Sequence, residues 1–158
     1  MMLRSHSLNC RVLFQFMLAL TLVLVSQNVW ARDWWQVEIG HNKIEAEISR
    51  TGEEQLMGLG NRFSLPEGQG MLFLYKNQGE KIFWMKRMNF PIDILWLNNG
   101  KLVLIEKDVP PPKEGTPDAA LEKYGFGVLA DMVLELPGGY TQKHHIQLGD
   151  SLRILKKE

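Results

Sequence analysis

The chain predicts a mainly β domain, either a compact β-sandwich or a barrel-like fold, with one or two short helices. Three observations carry this expectation. Short runs that alternate apolar and polar residues recur along the chain, and a period of two marks a half-buried strand. Gly, Asn and Pro residues punctuate those runs at close intervals, as tight turns require. Helix-start signals are scarce, so a parallel α/β sheet would lack the helices its crossovers need. About seven strands are expected, and pattern alone fits a sandwich and a closed barrel equally well.

The first element is a hairpin. Residues 36–39 alternate, Gly40-His41-Asn42 turns, and residues 43–48 alternate again with Ile44, Ala46 and Ile48 on one face. Thr51 then opens a helix. Its hydroxyl can accept from the amide three residues on, and Glu54 can reach back, which is a capping box. Gly58 and Gly60 weaken the helix and should keep it short. Residues 65–70 form a loop, and 71–75 a strand apolar on both faces, hence buried on both. A turn is expected at Asn77-Gln78-Gly79, a strand at 82–85, and another at 92–97. Asn98-Asn99-Gly100 turns that strand into 101–106, a strong hairpin signal. Residues 108–127 carry four prolines and suggest a long loop with a short helix around 118–124. Strands at 128–136 and 151–155 complete the domain, with turns at Pro137-Gly138-Gly139 and Gly149-Asp150.

The N-terminal residues 1–31 read as a secretory signal peptide. Arg4 and Arg11 precede a 14-residue run, 12–25, that is apolar except for Gln15 and Thr21. Val29 and Ala31 then stand at the −3 and −1 positions of a cleavage site. The run is short of the roughly 20 residues a membrane span needs, which disfavours the alternative of an uncleaved anchor. Cys10 lies before the apolar run and cannot become an acylated first residue. Residues 32–158 then form one domain with 16 basic and 18 acidic residues, because only Arg4 and Arg11 are lost. No stable membrane span is expected after cleavage. No basic stripe appears, so no nucleic-acid partner is expected. Without Cys10 the domain holds no cysteine, which excludes thiol catalysis, disulfide exchange and thiolate metal sites.

Three apolar runs end in residues foreign to a plain core: Tyr75-Lys76, Met85-Lys86-Arg87, and Pro91 followed by Asp93. Together with Gly58-Leu59 and Arg62, Gly70-Met71-Leu72-Phe73, Phe83-Trp84-Met85-Lys86, Pro91-Ile92-Asp93, Val133-Leu134-Glu135-Leu136 and Gly149-Asp150, they appear in an order that resembles the domain of unknown function 192 (DUF192) family. The resemblance spans roughly residues 36–155 and implies a compact β-sandwich-like domain with no established reaction. Two positions depart from the family pattern. Gly60 stands where Met is frequent, and Arg87-Met88 stands where Asn-Thr commonly follows Trp-Met-Lys.

Arg62, Lys86, Asp93 and Glu135 each belong to one of those motifs, and Lys86 and Asp93 are expected to end neighbouring strands. Two cations and two carboxylates can form an ion network that fixes loops. They can instead line a pocket for a polar ligand, where Arg62 offers a planar fork. Catalysis would need a proton-transfer pair with separated pKa values. The candidate ligand-binding patch is therefore Arg62, Trp84, Lys86, Asp93 and Glu135, with Tyr124 as a contact from a proline-rich lid. The favoured function is an exported binding or accessory module of the cell envelope, periplasmic or extracellular. Its partner would be a small polar ligand or a segment of an envelope protein, with no cofactor.

Two alternatives stand beside this. One is an envelope hydrolase with Asp93 or Glu135 as general base and Lys86 as electrostatic stabiliser. A shifted pKa on either carboxylate in an open cleft would favour it. The other is a Cu(I) site using the soft thioethers of Met85 and Met88, which His41, His144 or His145 could complete. The commoner role of such methionines is to fill a core. His144 and His145 read as a surface pair: if extended they face opposite ways, in a loop both could reach one metal, and no third ligand stands at zinc spacing. Ser49, Ser64 and Ser151 lie in no nucleophile elbow, and Gly68-Gln69-Gly70 lacks the Lys of a phosphate loop.

Overall fold

Nine strands and two short helices occur among residues 33–157, the part of the chain that the structure, a computed structural model, describes. The expected signal segment and its cleavage site lie outside the described residues. The strands are β1 (Trp34–Ile39), β2 (Asn42–Ser49), β3 (Gln69–Glu80), β4 (Phe83–Trp84), β5 (Ile92–Asn98), β6 (Lys101–Val109), β7 (Lys123–Tyr124), β8 (Leu129–Pro137) and β9 (Leu152–Lys157). The helices are α1 (Gly52–Met57) and α2 (Tyr140–Lys143). Among the described residues no helix is long and apolar enough to cross a membrane.

Seven strands form one sheet in the order β6-β5-β8-β3-β2-β1-β9, and β4 and β7 form a separate two-stranded ribbon. The large sheet curls until its edges meet. Lys101 bridges to Ser151, Leu102 N–H donates to Asp150 O at 2.9 Å, and Leu152 N–H donates to Gly100 O at 2.8 Å. Of the two expected arrangements the barrel-like one is therefore present, and closure satisfies backbone groups that open edges would expose.

Strand alternation divides the apolar residues into two cores. Val37, Ile44, Ala46, Leu72, Leu95 and Leu134 fill the inside of the curled sheet. Met71, Phe73, Ile94, Trp96 and Val133 stand on the outer face of β3, β5 and β8, where Phe83, Met85, Met88 and Leu59 cover them. This two-sided burial is why residues 71–75 are apolar at every position. Phe73 and Phe83 meet edge to face at 4.9 Å, and Phe83 meets Trp96 likewise at 5.8 Å. The Trp96 indole N–H, in a side chain with no exposed surface, donates to Lys81 O at 2.7 Å.

Several expectations change. The capping box at Thr51 is present, with Glu54 N–H donating to Thr51 Oγ1 at 3.2 Å and Thr51 N–H donating to Glu54 Oε2 at 2.9 Å. Yet α1 connects β2 to β3, which run parallel, so one parallel pair does exist within the otherwise antiparallel sheet. Asn77-Gln78-Gly79 is not a turn. It lies within β3 at a register shift against β8, and Gln78 is held by Asn98 Oδ1 at 2.5 Å. The helix expected around 118–124 is only a 3-10 turn (Asp118–Ala120), followed by β7. His144 caps α2, a short helix the sequence pattern does not disclose.

Candidate functional site

A row of residues crosses the outer face of the sheet. Glu47 on β2 pairs with Met71 on β3, Met71 with Glu135 on β8, and Glu135 with Ile94 on β5. Arg62, on the segment after α1, reaches this row. Its Nη2 contacts both oxygens of Glu47, at 3.0 Å and 2.8 Å. Glu135 is only 5% exposed, and its Oε2 has no hydrogen-bond partner among the described residues. Burial pushes its carboxyl up to about 8, against the pull of the Arg62 charge.

Above Glu135 lies an open cleft of about 350 Å³. Its walls include Phe73, Phe83 and Trp84, and its edge passes along Leu56, Lys86 and Met88. The segment that passes over Glu135 depends on glycine. Gly58 ends α1 at φ +51, and a Cβ there would stand 3.8 Å from Glu135 Oε2 and 3.4 Å from Phe73. A Cβ at Gly60 would come within 2.9 Å of Met57 O and 3.3 Å of Lys86 O, so the 58–60 and 86–87 segments can close together only without it. Asn61 N–H donates to Arg87 O at 2.8 Å across the same junction.

Tyr75 also lines the cleft, and the list of site residues expected from sequence omits it. Burial, and then the Glu135 charge, hold its phenol well above the ordinary range. The Lys81 ammonium sits over the Tyr75 ring at 4.3 Å. The signal was in the sequence, because Tyr75 is one of the polar-tipped residues that end an apolar run.

The expected patch is only partly assembled. Trp84, Lys86 and Glu135 line the cleft, and Arg62 stands beside its floor. Lys86 does not meet Asp93. Its Nζ pairs with Asp118 Oδ2 at 2.6 Å, at the rim. Asp93 pairs in register with Leu136, one step from Glu135, and so faces the other side of the sheet. There it has no exposed surface and accepts four hydrogen bonds. Asp108 N–H at 2.7 Å and Gly139 N–H at 2.9 Å reach Oδ1, while Thr141 N–H at 2.7 Å and Thr141 Oγ1 at 2.6 Å reach Oδ2. Asp93 thus ties the ends of β6 and α2 to β5 and has no oxygen left for a ligand. Tyr124 pairs with Phe83 through the backbone and stands outside the cleft lining. Its phenol is pushed up to about 12 by burial and by a hydrogen bond with Glu122.

Met85 and Met88 are 4% and 7% exposed and belong to the outer core, so their thioethers act as packing. His144 is elsewhere, stacked on Tyr140 at 4.0 Å with Nε2 3.1 Å from Glu67.

The family model of domain of unknown function 192, described as "Uncharacterized ACR", matches residues 35–154. The solved structure of a protein of unknown function from Novosphingobium aromaticivorans is similar over 80% of this chain and 89% of that chain, at 23% identity and a TM-score of 0.70. A candidate transcription regulator from Sinorhizobium meliloti is similar over 77% and 93%, at 22% identity and a TM-score of 0.67. Identities this low show a common fold and nothing of activity. No curated protein matches the chain.

Proposed function

Starting from a chain that belongs to the DUF192 family, whose description names no activity, we propose that this protein is a small ligand-binding module of the cell envelope and that the cleft over Glu135 is its binding site. One observation carries the reading: Glu135 Oε2 is buried at the floor of an open cleft with no hydrogen-bond donor. A buried polar atom without a partner is destabilising, by about 1–3 kcal/mol. Such a group calls for an account, and an apolar cleft with a few convergent polar groups is the usual form of a binding site. The aromatic walls add a surface on which the body of a ligand can rest.

Export rests on the sequence of residues 1–31, and its test is simple. N-terminal sequencing of protein recovered from the periplasm or medium should begin at Arg32. A chain that retains its first residues in the membrane fraction would favour the anchor instead. The binding reading is tested by a thermal-shift screen of the full chain against amines, sugars, carboxylates and short peptides. A compound that binds the native state raises the midpoint by mass action. The reading expects a hit that is lost in the isosteric Glu135→Gln. A screen with no hit contradicts it.

Acid–base catalysis is a second reading, and the raised pKa of Glu135 in an open cleft favours it. The cleft lining supplies little else for it. It contains no Ser, His or Asp, and Asp93 is committed to the scaffold. A hydrolytic activity with a pH limb near 8 that disappears in Glu135→Gln would establish it over binding alone.

A further inference from the structure

We propose that the cleft takes an organic cation, an alkyl or methylated ammonium group that sets its charge against Glu135 Oε2 and its carbons against Phe73, Phe83 and Trp84. This rests on the reading of the cleft as a binding site and names the chemistry of its occupant.

The charges around the floor decide the sign. Arg62 is engaged by Glu47 at 2.8 Å, and Lys86 by Asp118 at 2.6 Å. Each pair is neutral as a unit. Glu135 is left as the carboxyl whose Oε2 nothing satisfies. An anionic ligand would have to draw Lys86 or Arg62 from its partner. A cation leaves both pairs in place and asks only that Glu135 give up its proton; a primary ammonium can also donate to Oε2, while a quaternary one offers its charge alone.

The walls point the same way. Aromatic faces attract cations through the ring quadrupole, by about 0.5–2 kcal/mol depending on how far the cation is desolvated. Phe73 and Phe83 are fixed edge to face, so their positions are set before a ligand arrives. Trp84 is 40% exposed at the mouth, where it also borders a neighbouring groove with Leu56 and Met57. That exposed apolar edge suits the hydrocarbon part of an amine. Tyr75, also in the lining, carries the Lys81 ammonium over its ring.

Binding should be coupled to proton release. Glu135 titrates about 8, so near neutral pH a cation would displace its proton. The other charged or titratable groups around it are Arg62 with Glu47, Tyr75 with the Lys81 ammonium over its ring, and Lys86 with Asp118. Tyr75 is held above this range. Observed affinity for a cation should rise about tenfold per pH unit from 6 to 8 and level above.

Titration calorimetry on the full chain tests this with n-butylammonium, tetramethylammonium and, as the anionic control, butyrate. The expected result is binding of both cations, release of close to one proton per cation at pH 6–7, and no binding of butyrate. Glu135→Gln should weaken the cations by at least about tenfold and flatten the pH dependence. Trp84→Ala, a change at an exposed side chain, should weaken tetramethylammonium several-fold while leaving the pH dependence intact. Tighter binding of butyrate, lost in Glu135→Gln, would overturn the cation and leave the cleft as the site. Failure of all three probes, with a screening hit of another class that Glu135→Gln abolishes, would do the same. Failure of every compound in both experiments would overturn the site itself.

Discussion

Asp93 and Glu135 stand on adjacent strands, one register step apart, and both are buried. Asp93 faces the end of the curled sheet's interior and accepts four hydrogen bonds. Glu135 faces the outer core and leaves Oε2 without any. Burial and motif membership are the same for the two. The difference lies in the donors each face supplies. On one side the backbone of the 108 and 139–141 segments converges on a carboxylate, which makes it part of the scaffold. On the other, glycines at 58 and 60 keep a lid of backbone thin, which leaves a carboxyl at the floor of a cleft.

The comparison breaks most severely at Asp93. Asp93→Ala would leave several buried donors unsatisfied at about 1–3 kcal/mol each, so a loss on the order of 4 kcal/mol is expected in urea unfolding. A loss below about 1 kcal/mol would mean that the four hydrogen bonds do not hold the segment.

Glu135 should behave in the opposite way, through pH. Its folded pKa is raised to about 8 from 4.5, so the folded state holds a proton that the unfolded state has lost. Stability is therefore greatest below pH 4.5 as far as this group is concerned, declines as pH rises to 8, and is level above. The decline should be on the order of 5 kcal/mol at most. Glu135→Gln should remove most of this slope without unfolding the protein. Equal slopes in the two proteins would contradict the assignment.

Gly58→Ala probes the lid. Its φ of +51 disfavours any L side chain, and the added methyl would meet Phe73 and Glu135. A loss of about 1–3 kcal/mol is expected in thermal unfolding, together with weaker binding in the cleft. The smallest effect concerns Arg87, held at φ +60 beside the same lid. Asn tolerates that conformation better, so Arg87→Asn should gain under about 1 kcal/mol and leave binding unchanged.

Arg87 also shows what a sequence comparison can and cannot reveal. The family pattern with Asn at this place marks a departure, but only the backbone angle explains it. Local signals were well legible. Thr51 and Glu54 form the capping box, and Asn99-Gly100 turns the hairpin with φ of +49 and +73 at its two central residues. Long-range pairing was not. Asn77-Gln78-Gly79 has turn chemistry, yet β8 and the Asn98 side chain draw it into a strand. The parallel contact of β2 with β3 needed only one short helix, which a count of helices undervalues.

The same divide runs through the site. Arg62, Trp84, Lys86 and Glu135 stand out as residue types at odds with their apolar runs, and all four surround or border the cleft. Their partners could not be read, because Glu47 and Asp118 reach them only through sheet register and loop closure. Asp93 was grouped with Glu135 because period two fixes the face only once the register is known. His144 is placed by α2, a helix too short for periodicity to disclose.

The central claim is that Glu135 is a buried carboxyl whose Oε2 has no hydrogen-bond partner among the described residues, at the floor of a cleft. A carbon-13 titration of its side-chain carboxyl, assigned by difference with Glu135→Gln, tests it most directly. The account predicts a midpoint of about 8 that falls when n-butylammonium is added. A midpoint in the ordinary carboxylate range, unmoved by the cation, would show that Glu135 is already satisfied and that the cleft is only a fold in the surface.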